Sequence, residues 1–213
     1  MRVLCEQQHT PEWFAAKRGR ISASSAHIAL MGRNTKGRVA YVAKLADDRE
    51  GVPDFDEVDV KPWFVDGIFY ESWARGWYEF KYDRDVVQTG FVVHDEYDWI
   101  GCSPDGLVGD DGLIEIKFRK WLRTYDEMAR VQVIKRDVMA QTQTQLFVTG
   151  REWVDYVNYW RADEHEVEKG HVQRIWVDRP YLENTLLPAI VSLWSDVAAE
   201  IKQRELRRRT AVG

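Results

Sequence analysis

The stretch GCSPDGLVGDDGLIEIK, residues 101 to 117, constrains this chain's fold more than any other. Gly109, Asp110, Asp111 and Gly112 separate two short apolar runs, a pattern that predicts a tight hairpin folding 105–108 back beside 113–116. In an extended strand Leu113, Glu115 and Lys117 share one face, while Ile114, Ile116 and Phe118 turn to the core. The hairpin carries Asp105 towards Glu115, so two carboxylates and an ammonium are expected to converge at a sheet edge. Each piece has an ordinary explanation: Ser-Pro-Asp-Gly is a favoured type I turn, and Glu-x-Lys is common on a solvated strand face. Together, on a strand whose other face is strongly apolar, the charges call for a ligand.

Two carboxylates and a backbone carbonyl are hard oxygen donors suited to Mg2+ or Mn2+, with phosphate oxygens able to complete the coordination. A phosphate ester is then the natural substrate. General acid–base catalysis supplies about 3–5 kcal/mol, whereas phosphoester cleavage needs roughly 20, so a metal must stabilise charge directly. Lys117 beside the ion can orient the attacking water and help to deprotonate it. An EF-hand does not fit, because Leu107 stands where the third loop position needs an oxygen.

The five histidines form no HxxxH or Cys/His cluster, which argues against zinc, and Cys5 and Cys102 form no CxxC, which points to a reducing compartment. No apolar run approaches the roughly 20 residues of a membrane span, and MRVLCEQQHT lacks the apolar core of a secretory signal, so the cytoplasm is expected. The net charge of -5 taken alone points away from nucleic acid. Its distribution does not. Residues 47–59 hold seven acidic side chains against one arginine, whereas 117–136 hold seven Lys and Arg against two acids, so a local basic face is allowed.

With 213 residues and no linker-like run, one domain spanning 1–213 is expected. Residues 11–31 predict a short helix, a turn at Gly19 and a second helix entered through Ser22 or Ser24. The 45–62 stretch reads as a loop. A helix of about four turns follows from Asp66, its packed face formed by Phe69, Trp73 and Trp77 at i, i+4, i+8, with Glu71 off that stripe. Strands over 86–93, 99–103 and the hairpin imply a meander. A helix ends near Thr149-Gly150, strands cover 153–160 and 171–177, and a helix from about Asp178 closes the chain in KQRELRRR. The order predicts an α/β or α+β fold with a central mixed sheet flanked by helices.

Four blocks of this sequence resemble one family: W-x-x-x-K-x-G-x-I-S-A-S (13–24), G-x-x-x-E-x-x-A (67–74), the SPDG to EIK segment (101–117), and MAQTQTQLFVT (139–149) followed by W-x-x-Y-x-N-Y (153–159). They are similar to the lambda exonuclease and YqaJ-type viral recombinase branch of the PD-(D/E)xK nucleases, and span about residues 10–160. The resemblance implies a restriction-endonuclease-like core, with Asp105, Glu115 and the Ile116 carbonyl binding one or two Mg2+ or Mn2+ ions and Lys117 serving the nucleophilic water. Glu71 matches the family's acidic helix residue and Gln141 a glutamine lining the same site. Ser24 and Ser103 match hydroxyls that, with a basic side chain, hold a 5'-terminal phosphate. The family's arginine falls on Lys17, with Arg18 next to it, so either cation is a candidate. The activity implied is 5'-to-3' exonucleolysis of linear double-stranded DNA to mononucleotides, leaving a 3' single strand, by a ring-shaped homotrimer working with a single-strand annealing protein in phage recombination inside a bacterial host. Two other readings stay open: the same nuclease core as an endonuclease or a repair nuclease on other DNA ends, and a DNA-binding or assembly protein whose hairpin charges are structural.

Overall fold

The computed structural model describes residues 1–52, 62–131, 133–162 and 167–211. Two mixed sheets lie among helices. The larger has the order β3 (Val86–Val87), β6 (Gly106–Val108), β7 (Gly112–Phe118), β8 (Trp153–Ala162) and β9 (Val167–Trp176). Within it, β7 and β8 are parallel and every other pair is antiparallel. The smaller runs β1 (Arg2–Val3), β4 (Val92–Val93), β5 (Ile100–Cys102) and β2 (Ile21–Ser22), with β2 parallel to β5. A parallel pair needs a crossover. Between β7 and β8 it is made by α4 (Leu122–Val131) and α5 (Arg136–Thr149), and Gly150 ends α5 in the left-handed conformation at φ 70°.

The strand β7 is buried on both faces. Ile114 and Ile116 pack with Ala74 and Tyr78 of α3 (Pro62–Tyr82), whereas Leu113 packs with Leu146 of α5. α5 is itself a middle layer: its other side joins a core with the 3-10 segment Ala23–Leu30, α2 (Lys36–Arg49) and the C-terminal helical run, which comprises α6 (Arg179–Tyr181), a π segment (Leu182–Leu186) and α7 (Leu187–Ala211). This explains how a polar sequence, QTQTQ, can be buried. The Thr142 hydroxyl donates to the Val138 carbonyl and Thr144 to Ala140, which satisfies both inside the helix. Gln143 donates to the Trp176 carbonyl and accepts from the Asp178 amide, tying α5 to the end of β9.

Several expectations need correction. The aromatic stripe of α3 faces outward, with Phe69 58% and Trp73 44% exposed, while Ala74 and Tyr78 are fully buried. The small Ala74 allows close approach to the sheet, and the Tyr78 hydroxyl donates to buried Asp155 at 2.6 Å, so polarity and fit turned the helix about one residue from the side that bulk alone favoured. Trp77 alone of the three packs inward, against Tyr159 and so close to Gly170 that a Cβ there would lie 2.2 Å from its ring. The second helix of 11–31 is a 3-10 segment preceded by β2, and Ser22 makes no side-chain cap bond. Helix α2 reaches Arg49, inside the expected loop; residues 53–61 of that loop lie outside the described residues. The run 86–93 divides between the two sheets, because Gly90 fits against the Cys5 backbone where a Cβ would come within 2.4 Å of the Cys5 carbonyl. The charged hairpin strand is central in its sheet, not at an edge.

The C-terminal basic run is partly neutralised within the chain: Arg204 meets Asp47 at 2.5 Å and Glu50 at 3.0 Å, and Arg208 meets Glu50 at 2.9 Å. Buried Arg38 secures the same helix pair, bonding Asp196 at 2.6 Å and the Ala29 carbonyl at 2.6 Å. Arg38→Met removes the partner of a half-buried carboxylate and of a buried carbonyl, so the variant should lose about 2–4 kcal/mol of folding stability, measured by chemical denaturation.

Candidate functional site

The hairpin sets the site. Gly109 takes φ 55° in the turn, and the register pairs Gly106 with Ile114 and Val108 with Gly112, which puts Asp105, one residue before β6, opposite Glu115. Where β6 ends, Asp105 takes over its ladder role: Oδ2 accepts from the Ile116 amide at 2.6 Å. Among the described residues Oδ1 has no hydrogen-bond partner. The Glu115 side chain, at a residue only 2% exposed, points to α5 and is held on both oxygens. Lys117 Nζ at 2.5 Å and Gln141 Nε2 at 2.8 Å donate to Oε1, and Gln145 Nε2 at 2.6 Å donates to Oε2. Gln141 and Gln145, one helical turn apart, present one face to the same carboxylate. From α3, Glu71 lies within electrostatic reach of Asp105, Glu115 and Lys117 and is ion-paired with Arg75. The Gln88 amide oxygen, in its satisfied orientation, accepts from both terminal nitrogens of Arg75 at 2.9 and 3.1 Å.

Crowded carboxylates in a partly dry site resist ionisation. Burial pushes Asp105 well above the usual carboxylate range, and Glu115 and Glu71 push it further. Burial also raises Glu71, against the pull of Arg75. For Lys117 burial acts downward, but Glu115 and Asp105 outweigh it and hold the ammonium charged above the usual lysine range. One ammonium therefore faces several acids. Among the described residues no group of three His, Cys, Asp or Glu side chains is arranged to hold a metal ion. The donor set that remains is two hard carboxylates and the Ile116 carbonyl, with one Asp105 oxygen uncommitted and like charges that a divalent cation would relieve; these residues fit Mg2+ or Mn2+.

Of the residues expected to hold a terminal phosphate, Lys17, Arg18 and Ser24 line one cavity of about 260 Å3, with Ser22 and Tyr41. Their commitments differ. Arg18 bonds the Val52 carbonyl at 2.9 Å and pairs with Asp48 at 3.5 Å. Lys17 has no carboxylate partner among the described residues; its Nζ lies 3.9 Å from the centre of the Trp13 ring, and burial lowers its pKa. Ser103 lies behind that ring, accepting from the Trp13 indole at 2.7 Å. The structure thus brings three of the four together directly and joins the fourth through Trp13. Two side chains escaped the sequence reading. Gln145 repeats Gln141 at i+4 and Arg75 repeats Glu71 at i+4; that spacing is the signal that could have found both.

Residues 12–152 match the model of the YqaJ-like viral recombinase domain. Among solved structures, an alkaline exonuclease from Laribacter hongkongensis, LHK-Exo, is 30% identical, with a TM-score of 0.79 over 95% of this chain and 98% of that one. The same enzyme in complex with dAMP gives 30% identity and a TM-score of 0.77, with the same coverage. A phage-related exonuclease from Haemophilus somnus 129PT, 14% identical, shares the fold at a TM-score of 0.65 over 89% of this chain and 96% of that one. No curated protein matches the chain. The mixed α/β architecture is that of the restriction-endonuclease-like neighbours. With two thirds of its length covered by the family model, the chain belongs to the YqaJ-like viral recombinase family.

Proposed function

We propose that the chain is a Mg2+-dependent exodeoxyribonuclease that degrades one strand of linear double-stranded DNA in the 5'-to-3' direction, releases mononucleotides and leaves a 3' single strand for annealing-type recombination. The observation that carries this reading is the meeting of Asp105, Glu115 and Lys117 on one braced hairpin. The relative crystallised with dAMP supports a deoxymononucleotide product. Asp105, Glu115 and the Ile116 carbonyl would hold the metal, which when bound supplies Lewis-acid stabilisation of charge on the phosphate. Gln141 and Gln145 fix the Glu115 carboxylate. Lys117 orients the attacking water and faces the charge that builds on phosphate oxygens. Glu71, braced by Arg75, adds a third carboxylate at the mouth of the site.

Lys17, Ser24 and Ser103 would take the 5'-terminal phosphate. Lys17 is favoured over Arg18 because Arg18 is already committed to Asp48 and the Val52 carbonyl. The homotrimeric ring, the annealing partner and the bacterial host rest on the family resemblance, while the single domain over 1–213 rests on length and the lack of a linker-like run, and the cytoplasm on the N-terminal sequence and the cysteine usage. A ring would also allow a protein of net charge -5 to line its channel with its basic residues. Among the described residues no helix is long and apolar enough to cross a membrane.

Asp105→Ala and Lys117→Ala should each reduce degradation of linear duplex by about a thousandfold or more at unchanged fold, and chelation should abolish it in the parent. Unchanged rates would end the reading, as would cutting of covalently closed circular duplex. With duplexes phosphorylated on one chosen 5' end, that strand should shorten, and Lys17→Gln should raise KM for the phosphorylated end by about tenfold, more than Arg18→Gln does. A third expectation concerns the metal-free protein. Because the folded-state pKa of Asp105 lies above its unfolded value, its contribution to stability is complete below the ordinary carboxylate range and is lost as pH rises through the raised value. Melting temperature in chelator should therefore fall as pH rises, and Asp105→Asn should flatten that dependence.

A further inference from the structure

The face of β7 that carries Glu115 and Lys117 continues one step further. Arg119 follows at the same alternation, and its amide donates to the Tyr159 carbonyl at 2.7 Å, keeping it in register beside β8. Its guanidinium lies back along that face: Nε and one terminal nitrogen donate to Asn158 Oδ1 at 2.8 and 2.6 Å, and the same terminal nitrogen donates to the Tyr156 hydroxyl at 2.9 Å. Asn158 and Tyr156 are the β8 partners of Lys117 and Glu115. Both are neutral acceptors. Among the described residues this half-buried arginine has no carboxylate partner, although acids crowd the site next to it. A cation fixed in position by neutral groups keeps its charge for an anion that comes from outside.

The chain then leaves the sheet through Lys120 and Trp121 into α4. Trp121 is 67% exposed, and the Lys120 ammonium lies 5.9 Å from its ring centre. An exposed indole with a lysine ammonium beside it, two residues along the chain from a positioned arginine, offers what an unpaired strand needs: a ring for a base and cations for the phosphates. Within a duplex only the terminal pairs offer a free face to such a ring, whereas every base of an unpaired strand does.

We propose that Arg119, Lys120 and Trp121 form a ledge that binds single-stranded DNA next to the cleavage site, Arg119 contacting a backbone phosphate and Trp121 stacking an unpaired base. The assignment rests on the nuclease reading for its biological sense, but not for its test. Binding of a fluorescent oligothymidylate and of a blunt duplex to the full chain is measured by anisotropy in chelator, so that nothing is cut, across a range of salt concentrations. Trp121→Leu should weaken oligothymidylate binding about tenfold, Trp121→Phe much less, and blunt duplex binding should change by less than twofold. Arg119→Gln should lower the slope of log Kd against log salt by about 0.7, the share of one single-strand phosphate, while Arg119→Lys keeps the slope. Trp121→Leu should leave the slope unchanged, a separation that a general loss of structure would not produce. Binding of both probes within twofold of the parent at an unchanged slope overturns the ledge, and so does equal loss on duplex and single strand. A parent that fails to degrade DNA with Mg2+ refutes the nuclease reading, and leaves these binding results to stand or fall separately.

Discussion

A carboxylate buried in the middle of a central strand governs this structure. Glu115 is almost inaccessible, and an isolated ionised carboxylate in such a place is prohibitively unfavourable, so everything around it supplies hydrogen-bond donors. Two glutamines from α5 and the ammonium two residues along the strand do so. The demand explains why a helix buried on nearly all sides is written with polar residues. α5 must be apolar enough to separate two cores and polar enough to hold an acid, and it solves the conflict by giving its threonines backbone partners and aiming its glutamines at fixed targets.

The arrangement is incompletely compensated. Among the described residues Glu115 has its three donors, but Asp105 has one amide, and the buried Oε1 of Gln145 has no partner. The contrast with Asp155 is instructive. That carboxylate, equally buried one strand away, is closed off by a bidentate arginine, Arg174, and by the Tyr78 hydroxyl. It joins α3 to the sheet and has nothing left to offer. Compared with Asp155, the Asp105–Glu115 pair is left in want of positive charge.

The hairpin site was legible because it is local: a Gly-bounded turn fixes register, and register fixes which side chains meet, so Asp105, Glu115 and Lys117 could be brought together from the thirteen residues 105–117. What could not be read depended on distant contacts. The outward turn of Phe69 and Trp73 is set by Ala74 and Tyr78 meeting β7 and β8, and bulk alone pointed the other way. The division of 86–93 between two sheets follows from Cys5, more than eighty positions away. Arg18 and Lys17 looked equivalent in the sequence, and what distinguishes them is the pairing of Arg18 with Asp48 on another helix. Gln145 was visible as a repeat of Gln141, yet nothing in the sequence said that both would face one acid.

The two halves of the site share the segment Ser103 to Asp105. Ser103 is held by the Trp13 indole, and the Pro104 carbonyl accepts from Gln8 at 2.9 Å, which fastens the residues just before Asp105 to the N-terminal segment. Trp13 is also the surface on which Lys17 lies, and His9, held at φ 64°, packs on it with ring centres 5.1 Å apart. The cavity that would take a terminal phosphate and the carboxylate that would take a metal are therefore spaced by a single rigid connection, Lys17 to Trp13 to Ser103 to Asp105. An enzyme that removes one nucleotide at a time needs such a fixed spacing between the end it recognises and the bond it breaks. Here the spacing is set by an aromatic ring and the short Ser103-Pro104 connection to Asp105, elements with little freedom to stretch.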